Sequence, residues 1–322
     1  MKHILNKNDV EINIKKAQKI LKNGDLVIFP TETVYGLGGN ATDGNAIKKI
    51  YKIKNRPINN PLICHFKNIE NIEKNFFLND IAYKLAKKFW PGPLTLVLEK
   101  KDSSTISTKL SNQQKFVGCR IPNHPIALKL LSGIPFPIAA PSANISTKLS
   151  STKINHLSKK LKDNIFVLDG GKSFYGLEST VINVCNNNPK ILRLGSVTLE
   201  DIKKIIPSIV LENYKTFSNL SPGQQIIHYS PNLPIRINVN SVLKGEGLLN
   251  FGTNNLKSEI IELNLSPTEN LEEAGNNFYD YLHILDNAKC NGIAVAPVPN
   301  HNLGKTINDR LIRASIINSN LN

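Results

Sequence analysis

The chain has 322 residues, 40% of them hydrophobic and 20% charged, with 40 basic against 25 acidic side chains and a formal charge of +15. That length suggests about two domains, and the composition is that of a globular protein with a real core. No apolar run approaches the ~20 residues of a membrane helix, and the N-terminus turns polar too early for a secretory leader; four scattered cysteines (Cys64, Cys119, Cys185 and Cys290) without a Cys-x-x-Cys pair exclude a disulfide scaffold and an ordinary cysteine zinc site, so the expected setting is the cytoplasm.

From the N-terminus, Ile14, Ala17 and Leu21 recur at helical spacing over 13–23, and Gly24 ends the run. Leu26 to Phe29 is a short apolar strand stopped by Pro30. Asp43 is placed to cap a helix carrying Ile47, Ile50, Tyr51 and Lys54. Leu62 to Phe66 reads as a strand, and Ile81 to Phe89 as an amphipathic helix halted by Trp90-Pro91-Gly92-Pro93. Strands follow at 94–99, 116–121, 136–140, 165–169, 179–184 and 190–194, with helices over 124–132 and 198–206. Pro207 closes this first unit, 1–207. Residues 208–232 have little periodicity and read as a linker. The alternation restarts over 233–322, with strands near 234–239, 247–251, 259–263 and 292–298 and helices near 270–288 and 304–316. The fold class is α/β (mixed α+β): a twisted open sheet with a concave face and helices packed on it, followed by a smaller α/β unit.

The basic excess is uneven. Residues 233–322 hold 7 basic and 9 acidic side chains, a net of −2; residues 1–232 hold the other 33 and 16, a net of +17. One reading is an anionic partner such as a nucleotide or RNA. The other is a compositional drift, with 34 Lys and 42 Asn against 6 Arg, that spreads lysines over solvated faces. Against that background the arginines are informative, because a guanidinium offers a planar fork for carboxylate or phosphate that an ammonium lacks. The six are Arg56, Arg120, Arg193, Arg236, Arg310 and Arg313, and the first three fall in unusual segments.

The first such segment is Pro30 to Gly38, dense in hydroxyls after a strand, either a hydrogen-bonded turn or a ligand loop at a strand's C-terminal end. Lys54 and Arg56, followed by Asn60 to His65, form either a phosphate clamp or a set of charges at a helix C-terminus. His65, inside an apolar strand, is either a core histidine or a ligand. Arg120, inside the strand Val117 to Ile121, needs an anion, whether a ligand's carboxylate or phosphate or an internal acid. Ala139 to Asn144, with Ser146 and Ser150 beyond, allows close approach to the backbone. Asp169-Gly170-Gly171, Gly176 to Val181 and Leu192 to Gly195 complete the set. The phosphate loop, the dinucleotide fingerprint, the nucleophile elbow and any metal-spaced His/Glu cluster are all missing from the sequence.

Together, PTETVYGLG (30–38), KNRPINNPLI (54–63), FWPGPLT (89–95), VGCRIPNHP (117–125), APSAN (140–144), LDGG (168–171), GLESTVI (176–182) and LRLGS (192–196) resemble the threonylcarbamoyl-adenylate synthase family, built on a YrdC-like domain. SPGQQIIHYSP (221–231) and NLGKTINDRLIRAS (302–315) resemble the linker and the Rossmann-like C-terminal domain of its long form. The resemblance implies synthesis of threonylcarbamoyl-AMP and pyrophosphate from L-threonine, bicarbonate or carbon dioxide, and ATP. It also implies hand-over to a tRNA threonylcarbamoyl transferase complex that modifies the adenosine beside the anticodon. Thr33, His65, Arg120, Ala140 and Ser179 would hold threonine; Lys54, Arg56, Asn60, Phe116, Ser142, Asn144, Ser150, Arg193 and Tyr229 would hold ATP. Lys54, Arg56 and Arg120 would carry the catalysis, Mg²⁺ would arrive with the ATP phosphates rather than on protein ligands, and the linker would fold over the site as a lid. Glu32 and Glu178 are candidate bases or loop organisers. The chain departs from the family at Gln224 to Ile227, where a basic residue is common, at Ser146-Thr147 and at Leu194. A reading from another class is a non-catalytic RNA-binding module on the basic concave surface, with direct tRNA contact; no aromatic-interleaved basic stripe supports it. The carbamoyl-transfer maturation factors that share a related domain are longer and carry cysteine-rich zinc modules that this chain lacks.

Overall fold

A computed structural model describes residues 7–111, 114–185, 188–212 and 229–319. Its first helix, α1 (Lys7–Lys22), ends just before Gly24, whose φ of 77° is a left-handed turn that glycine adopts without steric cost. Strand β1 (Val27–Phe29) then folds back antiparallel on β2 (Gly36–Asn40). The sequence reads 30–38 as a loop throughout, because Gly36-Leu37-Gly38-Gly39-Asn40 carries almost no strand propensity. The glycines there are a packing requirement: a Cβ on Gly38 would lie 2.7 Å from both Ile138 and Phe29.

Helix α2 (Gly44–Lys54) has the expected Asp43 cap, which accepts the Asn45 amide at 2.8 Å. The chain continues through β3 (Ile63–His65), α3 (Ile69–Glu73), β4 (Phe76–Phe77), α4 (Asp80–Phe89), β5 (Leu94–Lys100), β6 (Phe116–Arg120), α5 (Pro125–Ser132) and β7 (Ile138–Ala140). It goes on through α6 (Lys159–Asn164), β8 (Phe166–Val167), β9 (Thr180–Asn183), β10 (Lys190–Arg193), α7 (Leu199–Lys203) and β11 (Val210–Leu211). The elements that the sequence does not announce, α3, β4 and α6, are too short to display a period. Strand β11 lies inside the expected linker 208–232 and pairs in parallel with β10. Of the expected lid 221–231, residues 221–228 lie outside the described residues.

Among the described residues these strands form one mixed sheet in the order β11-β10-β9-β5-β6-β3-β7-β2-β1-β8, with β4 on β5. The pleat sends alternate side chains to opposite faces. Val27, Phe29, Ile138 and Ala140 meet α1 and α5 on one face, while Ile28, Ala139 and Cys64 meet α2 and α4 on the other.

The second unit contains β12 (Ile235–Arg236), β13 (Glu246–Asn250), β14 (Glu262–Asn264), α8 (Leu271–Asp286), β15 (Gly292–Val295) and α9 (Leu303–Ser319). Its four strands are parallel in the order β12-β15-β13-β14. The mixed α/β class read from the sequence is therefore borne out. The core of this unit also takes in Val34, Leu149, Leu177 and Tyr229 from outside it, so the two sheets share packed apolar surface. No helix among the described residues is long and apolar enough to cross a membrane.

Candidate active site

Three loops interlock at the end of β1. The Thr31 hydroxyl donates to the Val34 carbonyl at 2.6 Å and bonds the Thr33 hydroxyl at 2.9 Å, a turn built from Ser/Thr chemistry. The Tyr35 amide donates to the Ser151 carbonyl at 2.8 Å, and the Ala143 amide to the Tyr35 carbonyl at 2.7 Å. The Tyr35 hydroxyl reaches the Gly171 carbonyl at 2.8 Å and accepts the Gly170 amide at 3.0 Å. The loops 30–35, 141–151 and 168–171 thus hold one another, and residues of the first two, with the ends of β3, β6 and β10, line one cavity.

On one side Arg120 ends β6 beside His65 of β3, the two being register partners. Arg120 donates to the Thr33 hydroxyl at 3.0 Å and forms an ion pair with Glu32. Of the anions left open for Arg120, the internal acid is present. The guanidinium is 3% exposed, and its Nε has no partner, nor has Glu32 Oε2. His65 is also buried and lines the cavity with an unpartnered Nδ1. Burial, reinforced by the Arg120 charge, lowers its pKa to about 3, so the ring is neutral. His65 is therefore at once a core residue and part of the cavity wall.

On the other side Arg56 leaves the C-terminus of α2 and donates to the Asn60 carbonyl at 2.9 Å, the Pro61 carbonyl at 2.9 Å and the Asn60 side-chain oxygen. It faces no carboxylate among the described residues, and burial lowers its pKa to about 10. Arg193, at the end of β10, donates through Nη2 to the Ser179 carbonyl at 2.8 Å and to the Ser179 hydroxyl at 3.1 Å. That hydroxyl also bonds Thr95 at 2.8 Å. Gly195 permits the approach, since a Cβ there would fall 2.3 Å from the Thr180 amide nitrogen.

Of the sequence-nominated residues, Thr33, Arg56, His65, Arg120, Ala140, Ser142, Ser179, Arg193 and Tyr229 line this one cavity. Lys54 stands behind the wall. Its ammonium donates to the Ser142 carbonyl at 2.6 Å and to the Asn144 carbonyl, and burial, then the neighbouring Arg56 charge, lowers its pKa. Asn60 is tied to Arg56, Asn144 to the carbonyls of Ile145 and Lys148, and Ser150 donates to Glu178 at 2.6 Å. Phe116, expected to meet the nucleotide through its backbone, is not among the residues that line the cavity. It begins β6, about 13 Å of strand away from Arg120 at ~3.3 Å per residue, and packs with Val97, Val181 and Leu192 instead of at the cavity.

Neither candidate base is free. Glu32 is paired with Arg120. Glu178 accepts from Ser150, from the Tyr279 hydroxyl at 2.8 Å and from Arg310 Nε at 3.0 Å. Burial would raise its pKa, but Arg310 and Arg193 hold it below the usual carboxylate value. Tyr279 and Arg310 come from α8 and α9 and are the site neighbours that sequence reasoning missed. The one available signal was that Arg310 is an arginine in a chain that otherwise prefers lysine.

A family model described as "Telomere recombination" matches residues 19–195, and one described as "Threonylcarbamoyl-AMP synthase, C-terminal domain" matches residues 197–315. The chain is similar to the threonylcarbamoyl-AMP synthase of Bacillus subtilis (strain 168), 34% identical over 97% of this chain and 94% of that one. It is also similar to that of Pyrococcus abyssi, 36% identical over 95% and 94%. Among solved structures, P. abyssi Sua5 complexed with L-threonine matches with a TM-score of 0.85 at 35% identity, covering 94% of each chain.

Proposed function

The chain belongs to the threonylcarbamoyl-AMP synthase family, and we propose that it joins L-threonine, bicarbonate or carbon dioxide, and ATP into threonylcarbamoyl-AMP and pyrophosphate, acting as a nucleotidyltransferase. The observation that carries this reading is the convergence of Arg56, Arg120 and Arg193, three of the six arginines in the sequence, on one cavity whose only lining carboxylate among the described residues is Glu178. Such a cavity favours a substrate set that brings a carboxylate and a polyphosphate together.

Arg120 and the Thr33 hydroxyl take the threonine carboxylate, with the unpaired Arg120 Nε as an available donor. Neutral His65 and the Ser179 hydroxyl bind the remaining polar groups without adding charge, and Ala140 leaves room for the side chain. The threonine amine and carbon dioxide form a carbamate, whose oxygen attacks the α-phosphorus while pyrophosphate leaves in line. The nucleophile is already anionic, so the step needs alignment and charge stabilisation more than a strong base. Arg56 and Arg193 face the charge that grows on the leaving pyrophosphate. Lys54 acts through the backbone, its two carbonyl bonds fixing Ser142 and Asn144 on the nucleotide side with Asn60 and Ser150 behind them. Tyr229, 1% exposed, closes the cavity against water that would hydrolyse the carbamate and the anhydride.

Glu32 and Glu178 are both held by arginines, so the donor set fits a Mg²⁺ ion carried by phosphate and water; bound there, it neutralises phosphate charge. The product is a mixed anhydride, which suits immediate transfer of its threonylcarbamoyl group by a separate tRNA transferase in the cytoplasm. Incubation of the protein with ATP, Mg²⁺, bicarbonate and isotopically labelled L-threonine is expected to move label into an acid-labile AMP adduct. Label that stays with free threonine rejects the reading.

A further inference from the structure

We propose that Arg310, on the C-terminal helix α9, is a positioning residue of the cavity: one guanidinium joins the second unit to three parts of the cavity wall. The inference rests on the proposed function and goes beyond it by giving the second unit a role in the reaction. Arg310 is 0% exposed. Its Nε donates to Glu178 at 3.0 Å, its Nη2 donates to the Leu194 carbonyl at 2.6 Å, and its Cζ lies over the Tyr229 ring, 4.6 Å from the ring centre. Asp309 on the same helix bonds the remaining nitrogen, Nη1.

Each contact sits next to a cavity group. Glu178 precedes Ser179 and itself lines the cavity, where it also holds Ser150 and Tyr279. Leu194 follows Arg193, so the carbonyl that Arg310 binds belongs to the residue after the arginine on the proposed phosphate side. Tyr229 reaches the wall with a left-handed φ of 66°, and the guanidinium lies over its ring. The helix is fixed by further bonds on the same face: Thr306 donates to the Gly195 carbonyl at 3.0 Å, and Lys305 pairs with Glu200 at 2.6 Å.

This geometry needs an arginine. A lysine ammonium supplies one point charge and no planar face, so it can satisfy Glu178 or Leu194 but cannot also stack on Tyr229. Arg310 touches none of the reacting atoms in the proposed reaction. It acts through Glu178, Leu194 and Tyr229.

The test compares Arg310→Lys with Arg313→Lys. Arg313 is 5% exposed on the same helix, pairs with Asp309 and does not itself line the cavity, so it is matched for burial and charge. Arg310→Lys is expected to remain folded by thermal melting and to lose about 10²-fold in kcat/KM for L-threonine-dependent pyrophosphate release, the scale of a small misplacement of reacting groups. Arg313→Lys is expected to keep nearly the wild-type rate. Glu178→Gln opens the same joint from the other side, so its loss combined with that of Arg310→Lys is expected to be far less than additive. Equal rates in Arg310→Lys and wild type overturn the inference, as does loss that tracks melting temperature equally in both lysine variants. Wild-type protein that releases no pyrophosphate in response to threonine overturns the proposed function itself, and the positioning role with it; a fully active Arg310→Lys overturns only the latter.

Discussion

Replacing Arg120 by methionine keeps an unbranched apolar stem and removes the guanidinium. Glu32, 3% exposed, then loses the partner of Oε1, and its Oε2 has none to begin with. A buried carboxylate stranded in this way costs about 3–5 kcal/mol of stability. Adding Glu32→Gln removes the charge and leaves only an imperfectly bonded amide, a cost of about 1–3 kcal/mol. The Thr33 hydroxyl keeps its 2.9 Å bond to Thr31 in either case, so the turn itself survives. The double variant is therefore expected to be about 2 kcal/mol more stable than Arg120→Met alone. Urea unfolding at pH 7 reads this difference, and calorimetric titration with L-threonine is expected to give no binding by either protein. A single variant as stable as the double one refutes the claim that Arg120 is what makes a buried Glu32 tolerable. Normal threonine binding by either refutes the carboxylate-holding role.

The remaining predictions concern protonation, the nucleotide side and packing. His65 has a folded-state pKa of about 3 against an ordinary 6.5, so between those values the unfolded chain takes up a proton that the folded one refuses. Stability attributable to it falls as pH drops below about 6.5; between pH 7 and pH 5 the wild type is expected to lose about 2 kcal/mol more than His65→Gln by urea unfolding, and parallel losses contradict this. Arg56→Ala removes a cation that faces no described carboxylate, so KM for ATP is expected to rise about 10- to 100-fold, the scale of a lost charge-assisted hydrogen bond, with L-threonine affinity little changed. Gly38→Ala puts a methyl 2.7 Å from Ile138 and Phe29 and is expected to cost about 1–3 kcal/mol. Gly44→Ala, in the first turn of α2 against the flexible Lys109 and the Ser107 hydroxyl, is expected to gain about 0.4–1 kcal/mol, both glycine variants being read by urea unfolding.

The sequence made local structure legible where a residue acts on its neighbours. Asp43 caps α2 and Gly24 ends α1 because capping and left-handed turns are short-range chemistry. Strand β2 escaped because its glycines answer to Phe29 and Ile138 across the sheet, and no local propensity encodes that. Much the same holds for the site. Thr33, Arg56, His65 and Arg120 could be nominated from composition and resemblance, and they share one cavity. The internal partner of Arg120 was left as one of two alternatives, since pairing with Glu32 spans 88 positions of chain. The Glu178–Arg310 contact spans 132 positions and joins two units, so nothing near either residue announces it.

The most direct test of the central claim is pyrophosphate release from ATP and Mg²⁺, with L-threonine and bicarbonate each omitted in turn. The account predicts release only when both are present, because the carbamate formed from them is the nucleophile that expels pyrophosphate. Release that persists without threonine, or no release from the complete mixture, would contradict it.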